Sequence, residues 1–195
     1  MNDNTNSTTK RKLTIYQICL MALLAALLCI LAPLAVPVGP IPITLATMVI
    51  YFTVYVIGPW MGTGSVLIYI LLGIVGLPVF SGGAGGFGKI AGPTGGYIIG
   101  YIFMALIGGA IIKATKYNVW IALAAWVVGT AVLYAFGTAW YLILTSVNGS
   151  PKTLGVALSY CVLPFLPGDA IKIVAGTFLG KAVRTALIKA HLIEV

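Results

Sequence analysis

The chain has 195 residues, of which 61% are hydrophobic and only 7% are charged, and its formal net charge is +8. With a mean hydropathy of +1.10, its composition lies far from that of soluble domains. These values exclude an ordinary soluble domain and predict an integral membrane protein.

Continuous apolar runs recur along most of the chain, beginning near residue 13. They are longer than the alternating segments of about ten residues in membrane β-barrels, so the predicted fold class is an all-α membrane protein. A helix needs about 17–25 apolar residues to cross a bilayer. The runs predict about six transmembrane helices, near residues 13–35, 43–58, 60–77, 94–113, 119–146 and 168–190.

The basic residues predict the orientation of these helices, because Lys and Arg collect in cytoplasmic loops. Both termini are expected in the cytoplasm, and Lys89 and Lys152 alone fall in outer loops. The net positive charge is then a topology signal with contact to anionic lipid, and nucleic-acid binding is not expected. The basic residues assigned to the inner side are Lys10, Arg11, Lys12, Lys113, Lys116, Lys181, Arg184 and Lys189.

Residues 1–9 are polar and lack periodicity, which predicts a disordered cytoplasmic tail. No linker divides the remainder, so residues 10–195 are expected to form a single membrane domain. Small residues recur at helical spacing in three helices: Ala22 and Ala26 in the first, Gly92, Gly96 and Gly100 at the fourth, and Gly176 and Gly180 in the sixth. Such spacing lets helices approach closely in lipid. Packing within the chain explains all three, and a docking surface for a partner protein is the alternative for the first helix.

Three segments between or beside the helices have unusual compositions. The segment at 32–43 contains four prolines, which favour an extended or turned conformation over a helix. The segment at 76–94 is rich in glycine, so its backbone amides could approach a ligand closely. A GxGxxG match inside it lacks the soluble βαβ context that nucleotide binding needs. The segment at 153–166 is apolar but short, and it is predicted to be re-entrant or surface-lying.

Asp169 and Lys172 form a charged pair inside the apolar part of the chain. Asp169 follows Pro167-Gly168, which predicts a position in the first turn of the last helix, near the outer surface, and Lys172 lies on the same face. An exposed helix cap with an ion pair would contribute about 0.3–1 kcal/mol. Placing each charge at the membrane centre would cost about 2.5–3.5 kcal/mol. We interpret the costly pair as part of a ligand-binding site.

The chemistry of this pair indicates the kind of ligand. A carboxylate accepts hydrogen bonds from N–H groups and an ammonium pairs with an anion, so a molecule with a urea or amide end and an acid end would suit both. Thr44 and Thr47 add hydroxyl groups, and Tyr97 and Tyr160 add aromatic faces with polar tips. No catalytic group, metal site or cofactor is expected, because the single histidine, His191, lies near the chain end.

Three motifs resemble the signature regions of the BioY family, the biotin-specific S-components of energy-coupling-factor vitamin transporters. They are PIPITLATM at 40–48, GLPVFSGGAGGFGKIAGPTGGY at 76–97 and LPFLPGDAIK at 163–172. The resemblance extends over nearly the whole chain, and the three motifs occur in the order and spacing of the family. One departure is Ala46, which stands where family members often have glutamine, so this position offers no polar side chain.

The resemblance implies a function. The chain would capture biotin with high affinity at the outer face of a bacterial plasma membrane. It would deliver biotin inward when docked on a transmembrane coupling subunit and two ATP-binding-cassette ATPases, and ATP hydrolysis would belong to those ATPases. An S-component for another carboxylate-bearing vitamin and a stand-alone secondary transporter are the alternatives; inverted repeats would favour the second.

The resemblance also implies roles for particular residues. Biotin's ureido N–H groups would donate to Asp169, and its carboxylate would meet a cation, either Lys172 or Lys89. Ala22 and Ala26 would contact the coupling subunit. The residues expected to border the ligand in the GPTGGY stretch are Gly92, Thr94, Gly95, Gly96 and Tyr97.

Overall fold

The computed structural model describes residues 14–38 and 40–193, and in that part of the chain it contains eight α-helices and one two-stranded antiparallel sheet. The tail expected at 1–9 lies outside the described residues, as do Lys10, Arg11 and Lys12. The strands are β1 (Ala35–Val36) and β2 (Ile43–Thr44). The helices are α1 (Ile15–Leu31), α2 (Ala46–Ile57), α3 (Pro59–Ile74), α4 (Phe87–Ala91), α5 (Gly95–Ala114), α6 (Val119–Val147), α7 (Leu154–Cys161) and α8 (Leu166–Lys189).

Six of these helices lie where the apolar runs predict them, whereas α4 and α7 are additional short helices. The largest difference in boundaries is at the proline-rich segment. The apolar run predicts a second helix from residue 43, but the helix begins at Ala46 because Ile43 and Thr44 pair with β1 in a hairpin. The first helix ends at Leu31 rather than 35 for the same reason. The described part of the proline-rich segment thus combines extended and turned backbone, as predicted, whereas the pairing of its two strands is not predicted by the sequence.

The helices differ in whether their length and composition allow them to cross a bilayer. Among the described residues, α5 and α6 pass this test alone, and α7 with α8 passes as a pair bent by 47°. Helices α1, α2 and α3 are apolar but shorter. The 12 residues of α2 extend about 18 Å, against about 30 Å of hydrocarbon. The structure thus supports a helical membrane protein with two or three clear spans, and six complete spans stay a prediction.

Local sequence explains where several helices begin. Thr14 and Gln17 form a capping box at the start of α1, in which the Thr14 hydroxyl accepts from the Gln17 amide at 3.4 Å. The Asn118 side chain accepts from the amide of Trp120 at 3.0 Å and caps α6. Pro167 lies in the first turn of α8, where its missing N–H has no cost.

The main helices run between two ends of the bundle. Helices α2, α5 and α8 begin beside two cavities, and we call this the cavity end. At the opposite end, Arg184 of α8 contacts Val56 of α2 and Tyr117 of the α5–α6 turn. Leu187 of α8 packs with the cluster around Leu24 of α1, so α1 begins where α8 ends. We call this the basic end, because the exposed side chains there include Lys113, Lys116 and Lys189.

The first and last helices therefore start and finish at one end of the bundle, in line with termini on one side of the membrane. Which end faces the cytoplasm stays a prediction.

Glycines fix α8 against α2 and α5 against α6. A Cβ atom on Gly176 would lie 2.8 Å from the Met48 carbonyl oxygen, and one on Gly180 would lie 2.9 Å from Tyr55 Cβ. A Cβ atom on Gly100 of α5 would lie 2.8 Å from a methyl of Leu133. The small-residue spacing of α5 and α8 thus serves packing within the chain. This close packing fixes the relative positions of the helices whose first turns surround the cavities.

Candidate ligand-binding site

Two adjoining cavities lie at the cavity end of the bundle. The charged cavity contains about 350 Å³ of space, part of it open to solvent, and is lined by both Asp169 and Lys172. The neutral cavity contains about 310 Å³ on the same measure, and none of the ten described residues that line it is charged. The two share lining residues and therefore adjoin each other. The shared lining residues are Ile41, Pro42, Thr44, Tyr97 and Tyr101.

The predicted charged pair is buried and lines a cavity. Asp169 is 4% exposed and Lys172 is 8% exposed. The Lys172 ammonium donates to Asp169 Oδ1 at 3.0 Å, one turn apart on α8. Asp169 lies in the first turn of α8, as predicted, and its backbone amide donates to the Phe165 carbonyl at 2.8 Å. An exposed helix cap, the alternative reading of the pair, is therefore wrong.

Tyr134 adds a hydrogen bond to the charged pair, and no pattern in the sequence indicates this contact. Its hydroxyl donates to Asp169 Oδ2 at 2.5 Å from the middle of α6. Tyr134 is one of ten tyrosines, many of them in apolar helices, and 35 positions separate it from its partner. Only the packing of α6 against α8 brings the two together.

This group retains capacity to bind a ligand. A carboxylate has about four lone-pair sites, and Lys172 and Tyr134 occupy two of those of Asp169. An ammonium has three donors, and Lys172 uses one of them on Asp169. Among the described residues, the pair can therefore accept from an N–H group and donate to a carbonyl of the same ligand while remaining neutral as a pair.

Both predicted threonines line the charged cavity, in different ways. Thr44 lies on β2, and its hydroxyl accepts from the Ala46 amide at 3.2 Å, so it also supports the start of α2. Thr47 lies in the first turn of α2, and its buried hydroxyl has no hydrogen-bond partner among the described residues. Because a buried unpaired hydroxyl is costly, Thr47 is the better candidate for a ligand contact.

Tyr97 forms part of the wall shared by both cavities. Its ring packs over Gly137, where a Cβ atom would lie 2.5 Å from the ring carbons. Its hydroxyl donates to the Cys161 carbonyl at 3.2 Å and lies 3.3 Å from the Thr138 hydroxyl. Tyr97 therefore presents its aromatic body to the cavities and fixes the end of α7 with its polar tip.

Of the glycine-rich GPTGGY stretch, Thr94 and Tyr97 line the neutral cavity. Gly92, Gly95 and Gly96, which were also expected to border the ligand, line neither cavity, and Gly95 and Gly96 instead allow close packing. A Cβ atom on Gly95 would lie 1.6 Å from the Ile90 carbonyl oxygen, and one on Gly96 would lie 2.3 Å from Trp140 Cβ. The Gly92 carbonyl accepts from the indole N–H of Trp140 at 3.0 Å.

Besides these three glycines, two further predicted ligand residues do not line the cavities. Tyr160 of α7 is 48% exposed and lines neither cavity. Lys89 of α4 is partly exposed and also lines neither, although its main-chain carbonyl accepts from the Thr94 hydroxyl at 3.4 Å. Tyr160 lies on a helix that the sequence did not predict, and its direction could not be read from spacing alone.

Ala22 and Ala26 are both exposed on α1, whereas Leu24, Ala25 and Leu28 on another face are buried. The small-residue pair therefore does not serve packing within the described part of the chain. A docking surface for a partner is thus the interpretation of this pair that stays as a prediction.

Arg184, one of the basic residues assigned to the inner side, is buried at the basic end. It is 9% exposed, its guanidinium donates to the Val56 carbonyl at 2.8 Å, and it stacks 3.5 Å from the centre of the Tyr117 ring. Arg184 thus ties α8 to α2 and to the α5–α6 turn. In residues 14–38 and 40–193, no group of three or more metal-ligating side chains could hold an ion.

Comparisons with a family model and with known proteins all identify the same family. The model described as the BioY family matches residues 4–189. A protein described as biotin transporter BioY2 from Lactococcus lactis is 33% identical, over 89% of this chain and 92% of its own length. The biotin transporter BioY of Thermotoga maritima is 33% identical over 84% and 92%. That of Rhizobium etli is 37% identical over 84% and 90%.

A solved structure supports the fold. It is described as the 2.1 Å crystal structure of the S-component for biotin from an ECF-type ABC transporter. Its TM-score with this chain is 0.79, and it is 30% identical, with 89% of this chain and 95% of that chain covered.

Proposed function

The chain belongs to the BioY family, and we propose that it is the biotin-binding S-component of an energy-coupling-factor transporter. The observation that carries the proposal is the buried Asp169–Lys172 pair, which lines a cavity. Its relatives are transporters, so the chain is a transport subunit rather than an enzyme.

The ureido ring of biotin suits the charged cavity. A cyclic urea presents an N–H donor beside a carbonyl acceptor. Asp169 can accept from the N–H, and Lys172 can donate to the carbonyl, because both retain hydrogen-bond capacity. The Thr47 hydroxyl, buried without a partner, would add a further contact. The aromatic faces of Tyr97 and Tyr101 would then enclose the apolar part of the ligand.

Transport requires partners that this chain does not supply. In the proposed cycle, the cavity end faces outward across a bacterial plasma membrane and six helices span the bilayer. The chain releases biotin inward when docked on a transmembrane coupling subunit and two ATP-binding-cassette ATPases. The exposed Ala22 and Ala26 on α1 support that helix as the docking surface.

Competition among vitamins tests the ligand. The purified chain in detergent would be saturated with labelled biotin, and excess unlabelled biotin, niacin, pantothenate or folate would be added. We expect displacement by biotin alone, because the other three lack a cyclic urea fused to an apolar ring. Displacement by another of these vitamins at similar concentration would favour a different carboxylate-bearing ligand.

Co-purification tests the docking surface. Ala22→Leu is expected to prevent assembly with the coupling subunit and to leave biotin binding intact, because the added side chain would separate the helices. The control is Ala131→Leu, which changes an exposed alanine on α6. Recovery of the Ala22→Leu complex at the parent yield would contradict α1 as the docking helix.

A further inference from the structure

We propose that the site also binds ligands with the biotin ring and an uncharged tail, such as biotinamide, nearly as well as biotin itself. This inference rests on the proposed function and extends it to a class of ligand. Its basis is the unequal distribution of charge between the two cavities.

The charges of the site lie at one end and compensate each other. Asp169 and Lys172 are 3.0 Å apart, and both line the charged cavity but not the neutral one. If the pair binds the ureido group, its ammonium is engaged with Asp169 and with the ureido carbonyl. Its one remaining donor lies in the charged cavity, away from a carboxylate at the far end of the ligand.

The tail of such a ligand would pass Tyr97 and Tyr101, which both cavities share, and enter the neutral cavity. The polar groups there are hydroxyls, including those of Thr44, Ser81 and Thr94. A hydroxyl is both a donor and an acceptor. It can therefore bind a carboxamide as well as a carboxylate, whereas a lysine or arginine would favour the carboxylate.

The cation closest in sequence to this cavity does not line it. Lys89 precedes Thr94 by five positions and contacts it through its main-chain carbonyl, while neither cavity includes Lys89 in its lining. The described part of the neutral cavity thus lacks the charge that would select an acid tail.

A competition titration tests the inference. Labelled biotin bound to the detergent-purified chain would be displaced by unlabelled biotin or by biotinamide, which has the same size and no charge. We expect the two inhibition constants to agree within about tenfold, since an ion pair lost from a buried site would change affinity by more than this. A larger preference for biotin would overturn the inference.

A second variant checks where the tail lies. Ser81→Lys places a cation in the neutral cavity, at a partly exposed position. We expect it to increase the preference for biotin over biotinamide by about tenfold relative to Ser81→Met, its uncharged control. An unchanged preference would also overturn the inference. If labelled biotin fails to bind the parent chain, the proposed function itself is wrong; if only biotinamide fails, the proposed function stands.

Discussion

Two buried cations lie on α8, and they differ in what surrounds them. Lys172, near the start of the helix, pairs with Asp169 and lines the charged cavity. Arg184, about 18 Å further along, donates to the Val56 carbonyl, stacks on Tyr117 and lines neither cavity. Both are less than a tenth exposed. Burial of a charge therefore does not identify a ligand site by itself.

The difference lies in the adjoining space and the partners. Around Lys172, a carboxylate with unused lone pairs borders a cavity that a ligand could enter. Around Arg184, a main-chain carbonyl and an aromatic ring connect three elements of the fold. We infer that the first cation serves binding and the second serves stability, and the following variants separate these roles.

The largest effect is expected at Lys172. Lys172→Met should lower the free energy of unfolding by about 3–5 kcal/mol, because it leaves a buried carboxylate without its charged partner. Thermal unfolding in detergent would measure the loss. In the double variant Asp169→Leu/Lys172→Met, most of the stability should return, since an apolar pair replaces the ion pair. Biotin binding should nevertheless be lost in this double variant. Biotin binding by the double variant at parent affinity would remove the pair from the site.

Arg184→Met should also destabilise the protein, by about 1–3 kcal/mol, because the Val56 carbonyl loses its charged donor and Tyr117 loses its stacked cation. Its effect on binding should differ from that at the cavity end. The folded fraction should bind biotin within about threefold of the parent affinity, measured by titration at low temperature. A loss of affinity equal to that of a cavity-end variant would erase the distinction between the two cations.

Two threonines on α2 provide a finer and smaller test. The hydroxyls of Thr47 and Thr53 are both buried without partners among the described residues, but only Thr47 lines a cavity. Thr47→Val should weaken biotin binding about fivefold, the effect of one neutral hydrogen bond of about 1 kcal/mol. Thr53→Val, of the same size and shape, should leave affinity unchanged. Equal effects of the two variants on the dissociation constant would exclude Thr47 from the site.

The two ends also differ in how much of them the sequence predicts. Asp169 and Lys172 are readable because charges one turn apart inside an apolar run are a local feature. Arg184 is also evident in the sequence as a basic residue, but its burial cannot be predicted. Its partners come from α2 and the α5–α6 turn, which are distant in sequence. Counting the basic residues in a loop predicts the orientation of the helices, but it does not predict which of those side chains are buried.

Contacts between distant segments explain the other differences. Tyr134 reaches Asp169 only through the packing of α6 on α8, and no spacing rule connects them. The prolines at 32–43 predict an extended or turned segment, but the β1–β2 pairing depends on two strands meeting. Because of that hairpin, α2 begins later than predicted. The hairpin residue Thr44, just before the start of α2, lines both cavities. The helices could thus be predicted from local pattern, whereas the lining of the site required their packing.

The most direct test of the account is a binding titration of labelled biotin on the purified chain, without partner subunits or nucleotide, beside the variant Asp169→Asn. We predict saturable binding by the parent and an affinity at least about tenfold lower in the variant, because a charge-assisted hydrogen bond is lost. Equal dissociation constants for the two proteins, or no binding by the parent, would contradict the assignment of the buried pair to biotin.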